Sequence, residues 1–353
     1  MTHGMIRKLL LWYERNKRAL PWRDSESPSA YRTWVSEIML QQTRAEAVKP
    51  YYNRFLAALP TIEALANVDD DRLLKLWEGL GYYTRARNLK RAAQIVVREH
   101  NGVLPSSPEE LLKLPGIGLY TAGAIASIAY GVPVPAVDGN VLRVCARLAA
   151  DPADIALDQT KREVSARLLR AMPRDFPGAF NQALMELGAC VCLPKTPNCI
   201  KPPSSEGRQG GCFPSLEGGC PLSGDCLVRA QGRTADYPVK SPQKPRRIEQ
   251  RHLLILRFED TLALRRRPSK GLLAGLWELP AAFDIPPGFV LSREPAGQAI
   301  HIFTHIEWHM TAERVTLRGP LPGEDLTWVT QEQLRDDYAL PSAFAGFRGE
   351  MFC

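Results

Sequence analysis

The chain has 353 residues, 45% of them apolar and 24% charged, which exceeds one typical domain and excludes a disordered or collagen-like polymer. Lys plus Arg exceed Asp plus Glu by 45 − 38 = 7, an excess that favours phosphate-bearing partners but is weak alone. No stretch reaches the ~20 apolar residues that span a bilayer, and the N-terminus lacks a secretory pattern, so the expected location is cytoplasmic, at the nucleoid in a bacterium, with thiols reduced.

Residues 1 to about 190 read as mostly helical, because apolar residues recur at three- and four-residue intervals, as in Ala57 to Asp70 and Arg85 to Glu99. Leu9-Leu10-Leu11-Trp12, bounded by charged pairs, reads as the buried face of a helix. Glu37 falls inside another apolar helical run, with Trp34-Val35 before it and Ile38-Met39-Leu40 after. A carboxylate buried there has a raised pKa and suits proton donation; a Glu on a solvated face is the ordinary alternative. Gln41-Gln42-Thr43 close that run with uncharged polar groups able to enter a DNA stack.

The strongest local signal runs from Pro108 to Tyr130. A short helix meets Leu114-Pro115-Gly116-Ile117-Gly118, and a helix of small residues follows. Pro stops the first helix, and Gly116 and Gly118 permit a tight turn with close backbone approach. The second helix then offers free N–H groups to a DNA phosphate. This is a helix-hairpin-helix pattern. Beyond it, Asp138 in Val137-Asp138-Gly139-Asn140-Val141 precedes the apolar-periodic helix Val141 to Leu148. An N-cap there holds the carboxylate rigid and ionised, and such a fixed charge can stabilise a cationic sugar.

Six of the eight cysteines lie between Cys190 and Cys226, a density that points to a metal site in a reducing compartment. Cys192, Cys199, Cys220 and Cys226 would supply four thiolates, suited to a 4Fe–4S cluster or to zinc. Between Ile200 and Gly219 lies a Gly/Pro/Ser/Glu-rich insert that reads as an exposed loop. Residues 227–249 read as a basic, Pro-punctuated linker. From Arg251 the pattern turns to strands: HLLILRF, TLALRRR, GLWELP, AIHIFTHIEWHM and RVTLRG. Helices are expected at 331–338 and 341–352, giving a second, α+β domain.

Seven motifs together resemble the MutY-type adenine DNA glycosylases of the helix-hairpin-helix superfamily. They are LPWR (Leu20 to Arg23), WVSEIMLQQT (Trp34 to Thr43), WEGLGYYTRARNL (Trp77 to Leu89), LPGIGLYTAGAI (Leu114 to Ile125), AVDGNVLRV (Ala136 to Val144), FNQALMELGA (Phe180 to Ala189) and FTH (Phe303 to His305). The resemblance implies a mainly α helix-hairpin-helix glycosylase domain over 1–226, with an iron-sulfur cluster loop at 190–226 and one 4Fe–4S cluster. It also implies a C-terminal α+β Nudix-like domain over 250–353 that reads 8-oxoguanine.

The implied activity is monofunctional hydrolysis of the glycosidic bond of adenine opposite 8-oxoguanine or guanine in double-stranded DNA, by a monomer off any membrane. On the matching positions, Glu37 and Asp138 become the catalytic carboxylates, with Tyr120 and Asn140 beside the sugar. Arg18, Leu20, Trp22 and Gln182 resemble the adenine pocket. Gln42 and Tyr82 resemble the wedge in the stack, with Thr43 and Leu80 near the oxidised guanine, which Phe303, Thr304 and His305 would read.

Tyr120 separates the subfamilies. The lyases of the superfamily carry Lys there, and a Schiff base needs an amine that Tyr lacks. This argues against a bifunctional pyrimidine-damage enzyme. Three departures stand out: twenty residues, not two, between the second and third cluster cysteines, with Cys212 or Cys190 as other ligand choices; Thr304 where the family has Ser; and a longer segment from Asp24 to Ala30. A non-catalytic zinc module is one rival. A Nudix pyrophosphatase is another, but no Arg-Glu-x2-Glu-Glu metal-binding pattern follows GLWELP in 281–300.

Overall fold

The computed structural model describes residues 1–23, 29–200, 219–242, 245–321 and 325–352. Its helices, in chain order, are α1 (His3–Asn16), α2 (Ala30–Leu40), α3 (Ala45–Ala58), α4 (Ile62–Asn67), α5 (Asp70–Leu76), α6 (Thr84–Glu99), α7 (Pro108–Leu111), α8 (Leu119–Tyr130), α9 (Gly139–Ala149), α10 (Asp158–Ala171), α11 (Pro177–Cys190) and α12 (Leu227–Ala230). The strands β1 (Arg247–Phe258), β2 (Thr261–Arg266), β3 (Trp277–Glu278), β4 (Val290–Ile302), β5 (Ile306–Leu317) and β6 (Thr327–Thr330) follow, and α13 (Gln331–Asp336) comes after β6. The chain divides into two compact units: Met1–Asn67 with Asn88–Pro242, and Val68–Arg87 with Gln243–Cys353.

In the first unit, α1 lays Ile6, Leu9, Trp12 and Tyr13 against Val141, Val144, Phe180 and Leu184 of α9 and α11. Each such side chain contributes roughly 1.5–3 kcal/mol through burial. The Leu9–Trp12 run is buried only at its ends, and Leu11 is exposed, because a period of 3.6 turns it off the core face. The run from Ala57 to Asp70 is likewise not one helix: α3 ends at Ala58 before Pro60, which cannot donate an N–H to a continuing helix.

Close backbone approach at two points in this unit rests on glycine. A Cβ on Gly123 would stand 2.4 Å from the Pro135 carbonyl oxygen, and one on Gly178 2.7 Å from that of Ser127. The segment read as linker is partly built into this unit. Leu227–Ala230 is helical, Val228 is fully buried, and Arg147 Nε donates to the Tyr237 carbonyl at 2.9 Å. The glycine-rich insert with Cys212, and residues 24–28, lie outside the described residues.

In the second unit the sheet runs β3-β2-β1-β5-β4, with β6 paired to β2. It is mixed: β1 and β5 are parallel, with Leu253 opposite Ala312, while the other pairings are antiparallel. Leu253, Ile255, Leu262, Trp308 and Met310 pack one face against Phe344 and Phe347. AIHIFTHIEWHM is not a single strand. β4 ends at Ile302 and β5 begins at Ile306, and Phe303 N–H closes the turn on the Ile306 carbonyl at 2.9 Å. RVTLRG continues β5, and Val290–Pro295 joins β4. The last expected helix is a 3-10 run, Ser342–Glu350, and α13 is shorter than expected.

Candidate active site

Three segments of the first unit converge on Glu37. Tyr31, Trp34, Val35, Ile38 and Met39 pack α2 into the core, and Glu37 shares that burial at 5% exposure. Tyr120 comes from the first turn of α8, just after the hairpin, and its hydroxyl donates to Glu37 Oε2 at 2.5 Å. Burial raises the Glu37 pKa from 4.5 to about 7; the Tyr120 hydrogen bond opposes that rise, the Asp138 charge adds to it, and Arg23 opposes it. Burial and the neighbouring carboxylates hold the Tyr120 phenol well above its usual range, so it stays a donor.

Asp138 is the N-cap of α9 and accepts the Val141 N–H at 2.7 Å and Asn140 Nδ2 at 2.7 Å. Burial pushes its pKa up, against the pull of these hydrogen bonds and of the Arg143 charge. Two carboxylates in one site therefore differ in what favours the anion. Asp138 has N–H donors and Arg143; Glu37 has one phenol and Arg23, whose field reaches it. More donors that favour the anion surround Asp138 than surround Glu37.

Asn140 faces this pair from the first turn of α9. Arg143 Nη2 donates to its Oδ1 at 2.9 Å, and a guanidinium only donates, so the amide nitrogen is turned to Asp138. Arg143 also binds the carbonyls of Gly188 at 2.9 Å and Cys192 at 2.8 Å. A Cβ on Gly188 would meet Asn140 Cβ at 2.6 Å, so glycine lets α11 approach the start of α9.

The hairpin is present as expected. Gly116 has φ +80°, and a Cβ there would meet Asn88 Cβ at 2.8 Å. Gly118 is the extended N-cap of α8 and offers no side-chain cap, so the first N–H groups of that helix are left open.

The other expected residues fall as follows. Arg18 is ion-paired to Glu186, with Nε at 2.7 Å and Nη2 at 2.9 Å. Gln182 Oε1 accepts from Tyr13 at 3.1 Å and Arg23 Nε at 3.1 Å. Leu20 is buried at 2% exposure, and half-buried Trp22 meets Tyr52 edge-on at 5.3 Å. Gln42 is exposed with φ +59°, and Thr43 Oγ1 donates to the Gln41 carbonyl at 3.4 Å.

In the second unit, Leu80 is buried and Tyr82 is exposed with φ +49°. The Tyr82 hydroxyl lies 3.2 Å from Thr304 Oγ1. Thr304 and His305 are exposed at the β4–β5 turn, while Phe303 is packed against His301 and Trp308 at 4.5 and 4.8 Å.

Cys192, Cys199, Cys220 and Cys226 line one cavity with Leu187, Leu222 and Arg147; Cys190 is buried elsewhere. Arg147 Nη1 lies 3.4 Å from Cys192 Sγ. Among the described residues, no three ligand side chains converge as a site for a single metal ion. No described helix is long and apolar enough to cross a membrane.

Arg23, Arg143 and Glu186 lie inside the quoted motifs but carry no expected role. Each is a charge tied into the site, and for Arg143 and Glu186 the signal was available: a charged residue inside an apolar helical run, the cue that singled out Glu37.

A sequence profile for HhH-GPD superfamily base excision DNA repair proteins matches residues 35–174, and one for the NUDIX domain matches 251–347. The adenine DNA glycosylase of Homo sapiens is 34% identical over 404 aligned positions, covering 97% of this chain and 73% of the human protein. That of Schizosaccharomyces pombe is 32% identical over 394, covering 92% and 85%. A solved thermostable thymine-DNA glycosylase superposes with a TM-score of 0.53 at 25% identity, covering 64% of this chain and 95% of its own.

Proposed function

The chain belongs to the adenine DNA glycosylases, base excision repair enzymes of the HhH-GPD superfamily with a Nudix-like C-terminal domain, and on that premise we propose that Glu37 and Asp138 divide the chemistry of adenine release. Adenine leaves poorly as an anion, so it must be protonated, at N7, as the glycosidic bond breaks. The observation that carries this reading is the raised Glu37 pKa of about 7, which keeps a proton available near neutrality. Tyr120 occupies Oε2, leaving Oε1 to carry that proton to the base.

The sugar becomes oxocarbenium-like, and Asp138 stabilises it electrostatically or by a transient bond. Asn140 and Arg143 fix the Asp138 carboxylate. Once its proton is spent, Glu37 is an anion and takes one back from the attacking water, which restores the site. Tyr120 offers no amine, so the strand is left uncut.

Arg18, Leu20, Trp22 and Gln182 form the pocket for the flipped adenine. The open N-terminus of α8, with Gly116 and Gly118 before it, holds a phosphate. Flipping costs a few kcal/mol of unstacking, which Gln42 and Tyr82 offset by filling the stack; their left-handed backbones present both side chains outward. Thr43 and Leu80 border the opposite base. Thr304 and His305, exposed on the turn that Phe303 anchors, read it as 8-oxoguanine. The division of labour is a glycosylase region over 1–226, a connecting segment over 227–249 and a reading domain over 250–353, acting as a monomer.

Single-turnover assays on duplexes with adenine opposite 8-oxoguanine, G, C or T test this reading. Release is expected with the first two alone, with the product strand intact until alkali is added. Equal release opposite all four bases would sink the lesion-reading part, and strand cleavage without alkali the monofunctional part.

One 4Fe–4S cluster fits Cys192, Cys199, Cys220 and Cys226. Four thiols lining one cavity supply the four thiolates that such a cluster takes. The cluster would cross-link the chain where α9 and α11 meet. Iron and sulfide analysis of purified protein should give about four of each per chain, lost in Cys220→Ser and kept in Cys190→Ser and Cys212→Ser. Zinc in place of iron would overturn the assignment.

A further inference from the structure

Glu186 is a buried anion that the chemistry above does not use. It lies on α11 one turn after Gln182 and is 1% exposed. Its Oε1 accepts the Arg18 backbone N–H at 3.0 Å and Arg18 Nε at 2.7 Å; its Oε2 accepts Arg18 Nη2 at 2.9 Å and Arg23 Nη2 at 3.1 Å. Arg23 is tied at its other nitrogens as well, Nε to Gln182 Oε1 at 3.1 Å and Nη1 to the Arg18 carbonyl at 3.3 Å. One carboxylate thus holds two guanidiniums, and through Arg23 it orients the Gln182 amide with its oxygen toward Arg23.

That arrangement bears on acid catalysis. A cation near a buried carboxylic acid favours its anion and empties it of its proton. The groups facing Glu37 are Tyr120 from α8, Asp138 ahead of α9 and Arg23 from the turn Pro21–Arg23, while α3 offers Val48, Tyr52 and Phe55. Facing Glu186 are Arg18 and Arg23, Tyr13 of α1, and the Cys190 thiol of its own helix at 4.0 Å. The Arg23 charge therefore acts on two carboxylates that need opposite things from it. Glu186 needs that charge; Glu37 needs to be spared it.

We propose that Glu186 is a positioning residue: it clamps Arg18 and Arg23 and offsets the Arg23 charge that reaches the acid, Glu37. The inference rests on Glu37 being the acid. Without Glu186, the part-buried Arg23 guanidinium, whose charge reaches Glu37, would have no anion of its own.

The test is the pH dependence of single-turnover excision in the full-length protein and in Glu186→Gln, Glu186→Asp, Arg23→Gln and Glu37→Gln, with thermal melts to report folding. The rate falls on the alkaline side as Glu37 loses its proton. Glu186→Gln should move that fall to lower pH by on the order of one unit. Glu186→Asp, which keeps the charge, should return it towards the original position. Arg23→Gln should move it the other way.

A role in packing alone would lower the rate at every pH and leave the fall in place; that outcome in Glu186→Gln overturns the proposal. If Glu186→Gln does not fold, Arg23→Gln decides, because an unmoved or downward-moved fall shows that the clamp has no electrostatic reach to Glu37. Retained excision in Glu37→Gln would instead overturn the acid assignment itself. Lost excision there, with an unmoved fall in Glu186→Gln, overturns the inference alone.

Discussion

Glu37→Gln should bind duplex DNA containing the mispair and release no measurable adenine, and in the unaltered protein the rate should decline as the pH rises through about 7. Both expectations follow from one cause. Glu37 is 5% exposed, and loss of water around its carboxylate raises its pKa far above the usual value. The protonated form is the active one, so activity is full below the raised pKa and lost above it. Glutamine keeps the side-chain volume and can still accept the Tyr120 hydroxyl, so the fold should persist. It cannot give up a proton, and losing a positioned general acid costs roughly 10²–10⁴-fold in rate. Single-turnover excision together with a binding isotherm checks both halves; cleavage within tenfold of the unaltered protein would remove Glu37 from the chemistry.

Asp138→Asn should reduce excision by roughly 10²–10³-fold, the size of effect expected when one preorganised electrostatic partner of the transition state is lost. The variant is informative because asparagine is as good an N-cap as aspartate. The Val141 N–H keeps its acceptor and α9 keeps its start, so a melting temperature close to that of the unaltered protein should accompany the loss. The negative charge is what disappears. Because that charge also raises the Glu37 pKa, the alkaline decline should shift to lower pH in this variant. A normal rate with a normal melt would reduce Asp138 to a cap.

The parts of this molecule that were legible in the sequence share a feature: they are local. The hairpin is readable because Pro115, Gly116 and Gly118 dictate a turn whatever surrounds it. The Asp138 cap is readable because the residue precedes an apolar period. Glu37 was readable as a charge in an apolar run, though only packing could give its proton affinity. What stayed hidden depends on residues distant in sequence. Arg143 stands out as a charge in an apolar run, but its partners appear only when α11 is laid beside it and its guanidinium meets the carbonyls of Gly188 and Cys192.

Glu186 meets Arg18 and Arg23 across more than 160 residues of chain. The effect of burial on Asp138 was also out of reach, since a cap motif gives the hydrogen bonds but not the desolvation that opposes them. Strand ends failed for a similar reason. The alternation of AIHIFTHIEWHM lapses only across Phe303 and Thr304 and resumes in the same phase at Ile306, and only pairing with β5 shows that the chain reverses there.

The most direct test of Glu37 as the proton donor is the pH–rate profile of single-turnover adenine release by the unaltered protein, with enzyme in excess over an adenine:8-oxoguanine duplex. A plateau on the acidic side and a one-proton decline centred near 7 are expected. A rate that stays flat well into the alkaline range would show that no group of that pKa gives up a proton in the reaction, and would contradict that role for Glu37.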